Sequence, residues 1–359
     1  MKVTIVGAGA MGGLAGGWMA RAGHDVLLVD RWAEHVAALD ADGLFVDGIR
    51  GEQRFAVRAT TPDRLAGPLE AVLIATKSQH AEAAARLVAP LLGPDGFIVS
   101  YQNGFNEPII AGVLEELGLG GRERVIGCIP NYGGALVDPG HLEFVHEGPI
   151  QLGEMDGRIT PRLRALAAML EALTPVQLSA NIWGQIWAKE VYSAQVVFSA
   201  LADARIGDTL GQERYARTAG AVVREALGIA DANGITVEAF DFFDPANYRV
   251  ETAADTQRLL ANVAHAIWLL KKDQKPGGHV FRKQGSGIWW DIVYRHRPSE
   301  VRASNGKLIE YGRTAGADVR LNEKLCAMIY EIEEGRRALG FHNFDELEAF
   351  AREIGRALP

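Results

Sequence analysis

The glycines near the beginning of the chain have the spacing of a turn that binds phosphate groups. Gly7, Gly9 and Gly12 follow a short apolar run, and an Ala/Gly/Leu-rich stretch of helical character follows them. In such a turn the first glycine allows a tight bend, the second lets a diphosphate approach the backbone, and the third lets the helix pack close to the sheet. The amide groups and the dipole at the start of the helix then attract the phosphates. We therefore predict that this turn, including Ala10 and Met11, binds a dinucleotide.

An acidic residue follows the glycine turn at the place where a ribose is recognised in such a unit. Asp30 comes directly after a second apolar run, Val26–Val29. A carboxylate at this place can accept both hydroxyls of the adenosine ribose and would repel a 2′-phosphate. Asp30 is therefore a predicted cofactor-binding residue, and it favours NAD.

Polar side chains follow two further apolar runs of the first half. Lys77 comes shortly after Ala71–Ala75, and Gln102 and Asn103 come directly after Phe97–Tyr101. In a doubly wound sheet the ligand binds beyond the carboxyl ends of the strands. We predict that all three side chains contact the cofactor, and that the amide of Asn103 also contacts the substrate, since an amide can both donate and accept. Each of them fits equally well as a capping or turn residue.

A lysine lies within an apolar helical stretch of the second half. Lys189 comes two residues after Trp187 and four before Ser193, so Lys189 and Ser193 share one face of the predicted helix. Because burial of an ammonium group is costly, a buried lysine has a lowered pKa and can serve as a general acid. A surface lysine with only its stem buried would show the same spacing.

The hydrophobic pattern predicts an α/β protein. Strand and helix signals alternate in the first half, whereas the second half is almost wholly helical. We predict an N-terminal Rossmann-like doubly wound sheet followed by an all-helical C-terminal domain. Residues 44–59 read as a hairpin and 131–153 as antiparallel edge strands of the same sheet. The predicted helices are 32–41, 80–92, 105–117, 182–203, 213–233, 252–271, 303–315 and 321–334.

The change of pattern suggests two domains. We predict a dinucleotide-binding domain at 1–180 and a helical domain for substrate binding and dimerisation at 181–359, with an irregular insertion around 240–285. In dehydrogenases of this plan we expect the substrate in the cleft between the domains. The basic run Lys271–Lys275 within the insertion reads as an exposed linker, or alternatively as a flap that binds an anion.

Composition excludes several classes of protein. The 359 residues carry a net charge of −8, which argues against nucleic-acid binding. Cys128 and Cys326 lack metal-binding spacing, so we expect buried thiols in a reducing compartment and no metal site. No apolar run is long enough to span a bilayer, and a strand that begins at residue 2 leaves no room for a signal peptide. We expect a cytoplasmic enzyme that binds no membrane.

In their order and spacing, the motifs resemble those of the ketopantoate reductase family (2-dehydropantoate 2-reductase), which is NADP-dependent in its best-known members. The resemblance runs from residue 1 to about residue 335 and rests on the glycine turn, Lys77, Gln102-Asn103-Gly104, Trp187-Ala188-Lys189, Asp291, Arg297-Pro298-Ser299-Glu300, Asn305-Gly306 and Asn322. It implies reduction of a 2-oxo acid to a 2-hydroxy acid. It further implies that Lys189 protonates the new alkoxide, that Glu300 orients substrate and ribose, and that Asn103 lies beside the reacting carbon. A homodimer is expected.

The chain departs from the family pattern near the lysine. The family has asparagines four and eight residues after it, where this chain has Ser193 and Val197. A serine of the pattern is replaced by Gly287, with Ser286 one position earlier. Ser193, Ser286 and Asn103 are the predicted substrate-binding residues. Because hydrogen-bond partners are lost, a larger or more apolar 2- or 3-hydroxy acid is an alternative to pantoate.

Two further questions stay open at the level of sequence. Arg31 occupies the position at which many family members bind the phosphate of NADP, so the cofactor is NAD or NADP, with Asp30 favouring NAD. A non-catalytic sensor that binds NAD(P) is the other alternative. We favour the enzyme, because a sensor has no need of Lys189 and Glu300 together.

Overall fold

A computed structural model describes residues 1–240, 243–272 and 285–359. Among these, the strands are β1 (Val3–Val6), β2 (Val26–Val29), β3 (Leu44–Gly48), β4 (Gln53–Phe55), β5 (Arg58–Thr60), β6 (Leu69–Ile74), β7 (Leu92–Ser100), β8 (Val125–Pro130), β9 (Gly133–Asp138), β10 (His141–His146), β11 (Ile150–Glu154) and β12 (Val176–Leu178). The helices of the described ranges are α1 (Ala10–Arg21), α2 (Ala33–Asp42), α3 (Ala81–Val88), α4 (Glu107–Glu116), α5 (Pro161–Leu170), α6 (Ile182–Ser199), α7 (Ile206–Thr209), α8 (Glu213–Ala232), α9 (Ala253–Lys272), α10 (Gly287–Trp289), α11 (Asn305–Thr314), α12 (Arg320–Glu333) and α13 (His342–Glu353).

The described residues form two compact units, Met1–Ile186 and the part of the chain from Trp187 to Pro359. The first contains a sheet whose described strands have the order β12-β11-β8-β7-β6-β1-β2-β5. Neighbours in this order are parallel except β8 and β11, which are antiparallel. The chain leaves β1 toward β2 on one side and continues at β6 on the other, so the sheet has a switch point between β1 and β6. This topology confirms the predicted Rossmann-like fold class.

The central strands are apolar on both faces because each face packs against helices. In β6, Leu73 belongs to one buried cluster, which also holds Leu14 of α1, whereas Val72 and Ile74 belong to a second cluster, which holds Val88 of α3. Side chains of a strand alternate between the two faces, so a strand covered on both sides is a continuous apolar run. That run is the signal by which the sequence predicts β6.

Two strand predictions were wrong in their pairing. The hairpin predicted at 44–59 exists only as β3 and β4, since Arg58–Thr60 pairs in parallel with β2 of the main sheet. Of the strands predicted at 131–153, only β11 extends the main sheet. The strands β9 and β10 join β3 and β4 in a second sheet of order β4-β3-β10-β9, in which β10 is parallel to β3. Such pairing between distant segments leaves no local signal.

In the described part of the second unit the regular secondary structure is helical, apart from an isolated bridge between Phe240 and Phe243. The helices predicted there appear as α6, α8, α9, α11 and α12. Residues 253–272 of the predicted irregular insertion form α9, and the remainder of the basic run, with Lys275, lies outside the described residues. In the described residues, no helix combines the length and the hydropathy needed to cross a bilayer.

Both cysteines are free thiols, as expected. Cys128 lies in β8 and Cys326 in α12, and both side chains are buried. Burial raises the pKa of each thiol, that of Cys326 to about 12. We therefore place both among the packing residues, since a thiol reacts through its thiolate.

Candidate functional site

The three glycines of the turn stand in three different environments. Gly7 has φ +103°, and a Cβ there would lie 2.8 Å from the carbonyl carbon of Ala75. A Cβ at Gly12 would lie 2.1 Å from the carbonyl oxygen of Gly7. Beside Gly9, by contrast, no heavy atom of the described residues would lie within 4 Å of an added Cβ. The fold thus requires Gly7 and Gly12, whereas the missing side chain of Gly9 leaves open space.

The first turn of α1 faces this space with uncapped backbone groups. Gly9 is the N-cap residue and offers no side chain to the first N–H groups of α1. The N–H of Gly13 donates to the carbonyl oxygen of Gly9 at 2.7 Å, which leaves those of Ala10, Met11 and Gly12 without a helical acceptor. Such a terminus favours negative charge. The turn and the helix start together fit a diphosphate group.

Ala8, inside the turn, is held from both sides by side chains. Its N–H donates to Asp30 Oδ2 at 2.9 Å, and its carbonyl oxygen accepts from His35 Nε2 at 2.9 Å. Asp30 Oδ1 accepts the N–H of Trp32 at 2.9 Å, and His35 Nδ1 accepts that of Gly140 at 2.9 Å. Each carboxylate oxygen of Asp30 retains a lone pair for a further donor. His35, which is fully buried, was missed at the sequence level because a histidine inside a helix carries no signal of this contact.

The ends of β6 and β7 are tied together by polar side chains. Gln102 Nε2 donates to the carbonyl oxygen of Thr76 at 2.8 Å and to its hydroxyl at 3.0 Å. The hydroxyl of Ser78 donates to the carbonyl oxygen of Asn103. Lys77, in the segment that follows β6, is half-buried, and Asn103 is exposed. The structure therefore brings together Lys77, Gln102 and Asn103, and their contact with a cofactor stays a prediction.

In the second unit, Lys189 lies beside a group of aromatic rings. Its Nζ is 5.6 Å from the ring centre of Phe240 and 5.9 Å from that of Tyr192. Tyr192 meets Phe240 and Phe243 edge to face, and Phe243 packs on Tyr248. We call Tyr192, Phe240, Phe243 and Tyr248 the aromatic cluster. An ammonium group over ring faces is stabilised by cation–π attraction, which explains how an apolar stretch of α6 accommodates a half-buried lysine.

A chain of contacts joins α6 to the turn before α11. Ser193 Oγ, one helical turn after Lys189, donates to Asn305 Oδ1 at 3.2 Å. Ser304 Oγ lies 3.4 Å from the same oxygen and donates to the carbonyl oxygen of Glu300 at 3.1 Å. The structure thus connects Ser193 with the backbone of Glu300 through Asn305 and Ser304. No role for Asn305 follows from the sequence alone, because its partner Ser193 is 112 positions away.

Two other motif residues maintain local structure. Ser286 Oγ accepts the N–H of Trp289 at 3.1 Å and caps α10. Asp291, in the π-helical turn Trp290–Tyr294, accepts two hydrogen bonds from Arg297, at 2.9 and 2.7 Å. A substrate contact of Ser286 stays a prediction.

Family models match both halves of the chain. The model for ketopantoate reductase PanE/ApbA matches residues 3–157, and that for ketopantoate reductase PanE/ApbA C terminal matches residues 181–333. The chain belongs to the ketopantoate reductase family. This membership confirms the predicted family and the predicted class of enzyme, an oxidoreductase that uses a nicotinamide cofactor and acts on small 2-oxo acids.

Relatives and solved structures agree with this membership. A 2-dehydropantoate 2-reductase of Pyrococcus horikoshii is 28% identical over 332 residues, which cover 92% of this chain and 96% of that protein. A 2-dehydropantoate 2-reductase of Archaeoglobus fulgidus is 25% identical and covers 93% and 98%. The crystal structure of a PanE/ApbA family ketopantoate reductase from Ralstonia eutropha JMP134 is 27% identical, with a TM-score of 0.72 over 94% of this chain and 100% of that one. A D-mandelate dehydrogenase with NADH and anilino(oxo)acetate shares the fold, with a TM-score of 0.74 over 94% and 100% of the chains at 19% identity.

Proposed function

We propose that this member of the ketopantoate reductase family reduces a 2-oxo acid to a 2-hydroxy acid, with Lys189 as the proton donor. The observation that carries the proposal is Lys189 itself, which lies half-buried against two aromatic rings and one helical turn from Ser193. The curated names of the relatives, 2-dehydropantoate 2-reductases, support the same reaction.

The cofactor residues of the proposal are those of the first unit. The open space at Gly9 and the start of α1 would receive the diphosphate, and Asp30 would accept the ribose hydroxyls. A reduced nicotinamide supplies a hydride when bound. We favour NADH over NADPH, because the half-buried carboxylate of Asp30 is fixed by Ala8 and Trp32, whereas Arg31 beside it is exposed.

In the reaction, carbon 2 of the oxo acid gains a hydride while the carbonyl oxygen takes up the electron pair of the broken π bond. Lys189 donates a proton from Nζ to that oxygen and becomes a neutral amine, which water reprotonates. A fixed cation at this point also stabilises the negative charge that develops on the oxygen. In this proposal Glu300 orients the substrate. Ser193, Asn103 and Ser286 contact it.

For the substrate side chain we propose an apolar or aromatic group. Val197 stands where the family pattern has its second asparagine, and it is completely buried in α6, so that position offers no polar contact. The aromatic cluster gives the surroundings of Lys189 an apolar character. The relatives' names favour 2-dehydropantoate as the alternative substrate.

The test is a steady-state assay of wild type and Lys189→Ala with NADH and NADPH, using 2-dehydropantoate, phenylpyruvate and 4-methyl-2-oxopentanoate. We expect kcat with the best acid to fall about 100-fold or more in Lys189→Ala, while NADH binding by fluorescence stays within about twofold. Lys307→Ala, a lysine on α11 paired with Glu310, is the control. Loss of less than about tenfold excludes Lys189 as the acid, and NADH binding without turnover of any oxo acid would support the sensor.

We further propose a homodimer that associates through the helical unit, located in the cytoplasm. Sedimentation velocity at micromolar concentration distinguishes the dimer from the monomer of 38.8 kDa.

A further inference from the structure

Trp32 is a large aromatic residue at the edge of the sheet where the cofactor site is predicted. It follows Asp30 by two positions and is the N-cap residue of α2. The residue is only half-buried, and its neighbours Arg31 and Ala33 are exposed, so this segment lies at the surface of the first unit. The glycine turn and the acidic residue after β2 do not by themselves require an indole ring at this place.

The ring of Trp32 is held beside the glycine turn. The backbone N–H of Trp32 donates to Asp30 Oδ1 at 2.9 Å. The indole stacks on the imidazole of His35, with ring centres 5.8 Å apart and ring planes inclined by 21°. His35 donates in turn to the carbonyl oxygen of Ala8. Because His35 is fully buried whereas Trp32 is half-exposed, the indole covers the imidazole on its outer side. An ordered aromatic surface is therefore present close to Asp30 and Ala8.

We propose that the indole of Trp32 forms one wall of the adenine site of the dinucleotide. The inference rests on the proposed function, in which Asp30 accepts the hydroxyls of the adenosine ribose. Adenine is bonded to C1′, the carbon next to the one that carries the 2′-hydroxyl, so a ribose bound at Asp30 brings the base to the residues beside Asp30. Stacking on an aromatic ring stabilises a bound base, and a ring that is already ordered loses little entropy when the base binds.

The topology favours the adenine half of the cofactor over the nicotinamide half at this place. Strand β2 lies on one side of β1 and β6 lies on the other. A diphosphate at the start of α1 divides the cofactor between these two sides. Asp30 and Trp32 follow β2, whereas Lys77 follows β6 and Asn103 follows β7. The nicotinamide must meet the substrate, so we expect it on the side of Asn103, and the adenine on the side of Trp32.

Two dinucleotides separate stacking from a purely structural role of the indole. Reduced nicotinamide cytosine dinucleotide keeps both riboses and the diphosphate of NADH but carries a smaller base. In calorimetric titrations, Trp32→Leu should raise the Kd of NADH about 5- to 100-fold, as the loss of a base–aromatic stack does. The increase in Kd for the cytosine analogue should be smaller by at least about threefold. Trp32→Phe, which keeps a ring, should bind NADH within about threefold of wild type.

Trp268→Leu is the matched control for these titrations. Trp268 is 53% exposed on α9 of the second unit, and its indole likewise stacks on a histidine, His265. The variant removes an indole with the same kind of neighbour from a place where no cofactor residue is predicted. The Kd of both dinucleotides should therefore stay within about twofold of wild type.

A spectroscopic measurement serves if Trp32→Leu does not fold. ADP-ribose lacks the nicotinamide, so it can quench tryptophan fluorescence only through the adenosine half. It should quench wild type and Trp268→Leu, and most of this quenching should be lost in Trp32→Phe. If wild type binds only NADPH, the 2′-phosphate forms of the probes take their place. None of these measurements needs turnover, so binding without reduction of any oxo acid would contradict the proposed reaction and leave the role of Trp32 intact.

Four results overturn the inference. In the first, Trp32→Leu leaves the Kd of NADH within about twofold of wild type. In the second, Trp32→Leu weakens both dinucleotides by the same factor, which would show that the indole only supports His35 and the glycine turn. In the third, ADP-ribose quenches Trp32→Phe as strongly as wild type. In the fourth, wild type binds no dinucleotide, and the inference then fails together with the proposed cofactor site.

Discussion

His35 Nε2 donates its hydrogen to the carbonyl oxygen of Ala8, 2.9 Å away. The N–H of Gly140 can only donate and the carbonyl of Ala8 can only accept, so these partners fix the hydrogen of the ring on Nε2. One buried side chain thereby connects the glycine turn to the loop between β9 and β10. The conformation of the turn thus depends on residues that lie far from it in the sequence.

Replacement of His35 should weaken both the fold and cofactor binding. His35→Leu leaves the buried carbonyl of Ala8 and the N–H of Gly140 without partners, which should lower the free energy of unfolding by roughly 2–4 kcal/mol in urea titrations. The affinity for NADH should fall as the turn loses its support, and His35→Gln should recover part of both. His24→Leu, at a half-exposed histidine, should cost less than about 0.5 kcal/mol. If His35→Leu is as stable as wild type, His35 does not support the glycine turn in this way.

Alanine at Gly9 should weaken cofactor binding without a change in stability, whereas alanine at Gly12 should lower stability. Gly9 has φ −69° and open space beside it, so Gly9→Ala should unfold at the wild-type temperature yet bind NADH at least about tenfold more weakly, because its methyl group occupies the place of the diphosphate. Gly12→Ala should lower the unfolding temperature, since its Cβ would lie 2.1 Å from the oxygen of Gly7. Thermal unfolding without cofactor and fluorescence titration with NADH measure both. Unchanged NADH affinity in Gly9→Ala would place the diphosphate elsewhere.

The parts of the structure that sequence analysis predicted are those with local signals. The turn Gly7–Gly12 and the strand-end residues Lys77 and Gln102 follow apolar runs directly, and the strands of a parallel sheet align these ends. The helix α6 was also predicted, although it ends at Ser199, before the expected residue 203. In each case the residues that form the sequence pattern are the same residues that form the structural element.

The parts that were missed depend on contacts between distant segments. The strand β10 pairs with β3, so that His141 lies opposite Phe45, and neither segment shows the other as its partner. The bond between Ser193 and Asn305 spans 112 positions. The pattern predicts a helix at 303–315, but the contact between Ser193 and Asn305 becomes visible only when both helices are in place.

Removal of the charge at Asp30 should change the cofactor preference. Wild type should use NADH better than NADPH, and Asp30→Asn should lower the ratio of the two kcat/KM values at least about tenfold, because the repulsion of the 2′-phosphate is lost. Asp25→Asn, at an exposed aspartate paired with Arg58, removes the same charge at the opposite end of β2 and should leave the ratio unchanged. If wild type prefers NADPH, the prediction fails, and Arg31→Ala should then reduce NADPH use.

An ion-pair network at α13 should make stability depend on pH. Glu346 accepts hydrogen bonds from Arg337 at 2.7 Å and from Lys324 at 2.6 Å. These two cations lower the pKa of Glu346 from 4.5 to about 2. The unfolded chain therefore takes up a proton near pH 4.5, whereas the folded chain takes one up only near pH 2. The stabilisation is present above pH 4.5 and is lost as the pH falls from 4.5 toward 2.

Glu346→Gln should reveal this dependence. At pH 7 the variant should be less stable than wild type by about 1 kcal/mol or less, since the side chain is 40% exposed and solvent screens the pair. The difference should shrink between pH 4.5 and pH 3, as measured by urea unfolding at each pH. Glu353→Gln changes an exposed residue of the same helix and serves as the control. A difference between Glu346→Gln and wild type that stays constant across this range would show that Arg337 and Lys324 do not stabilise the charged carboxylate.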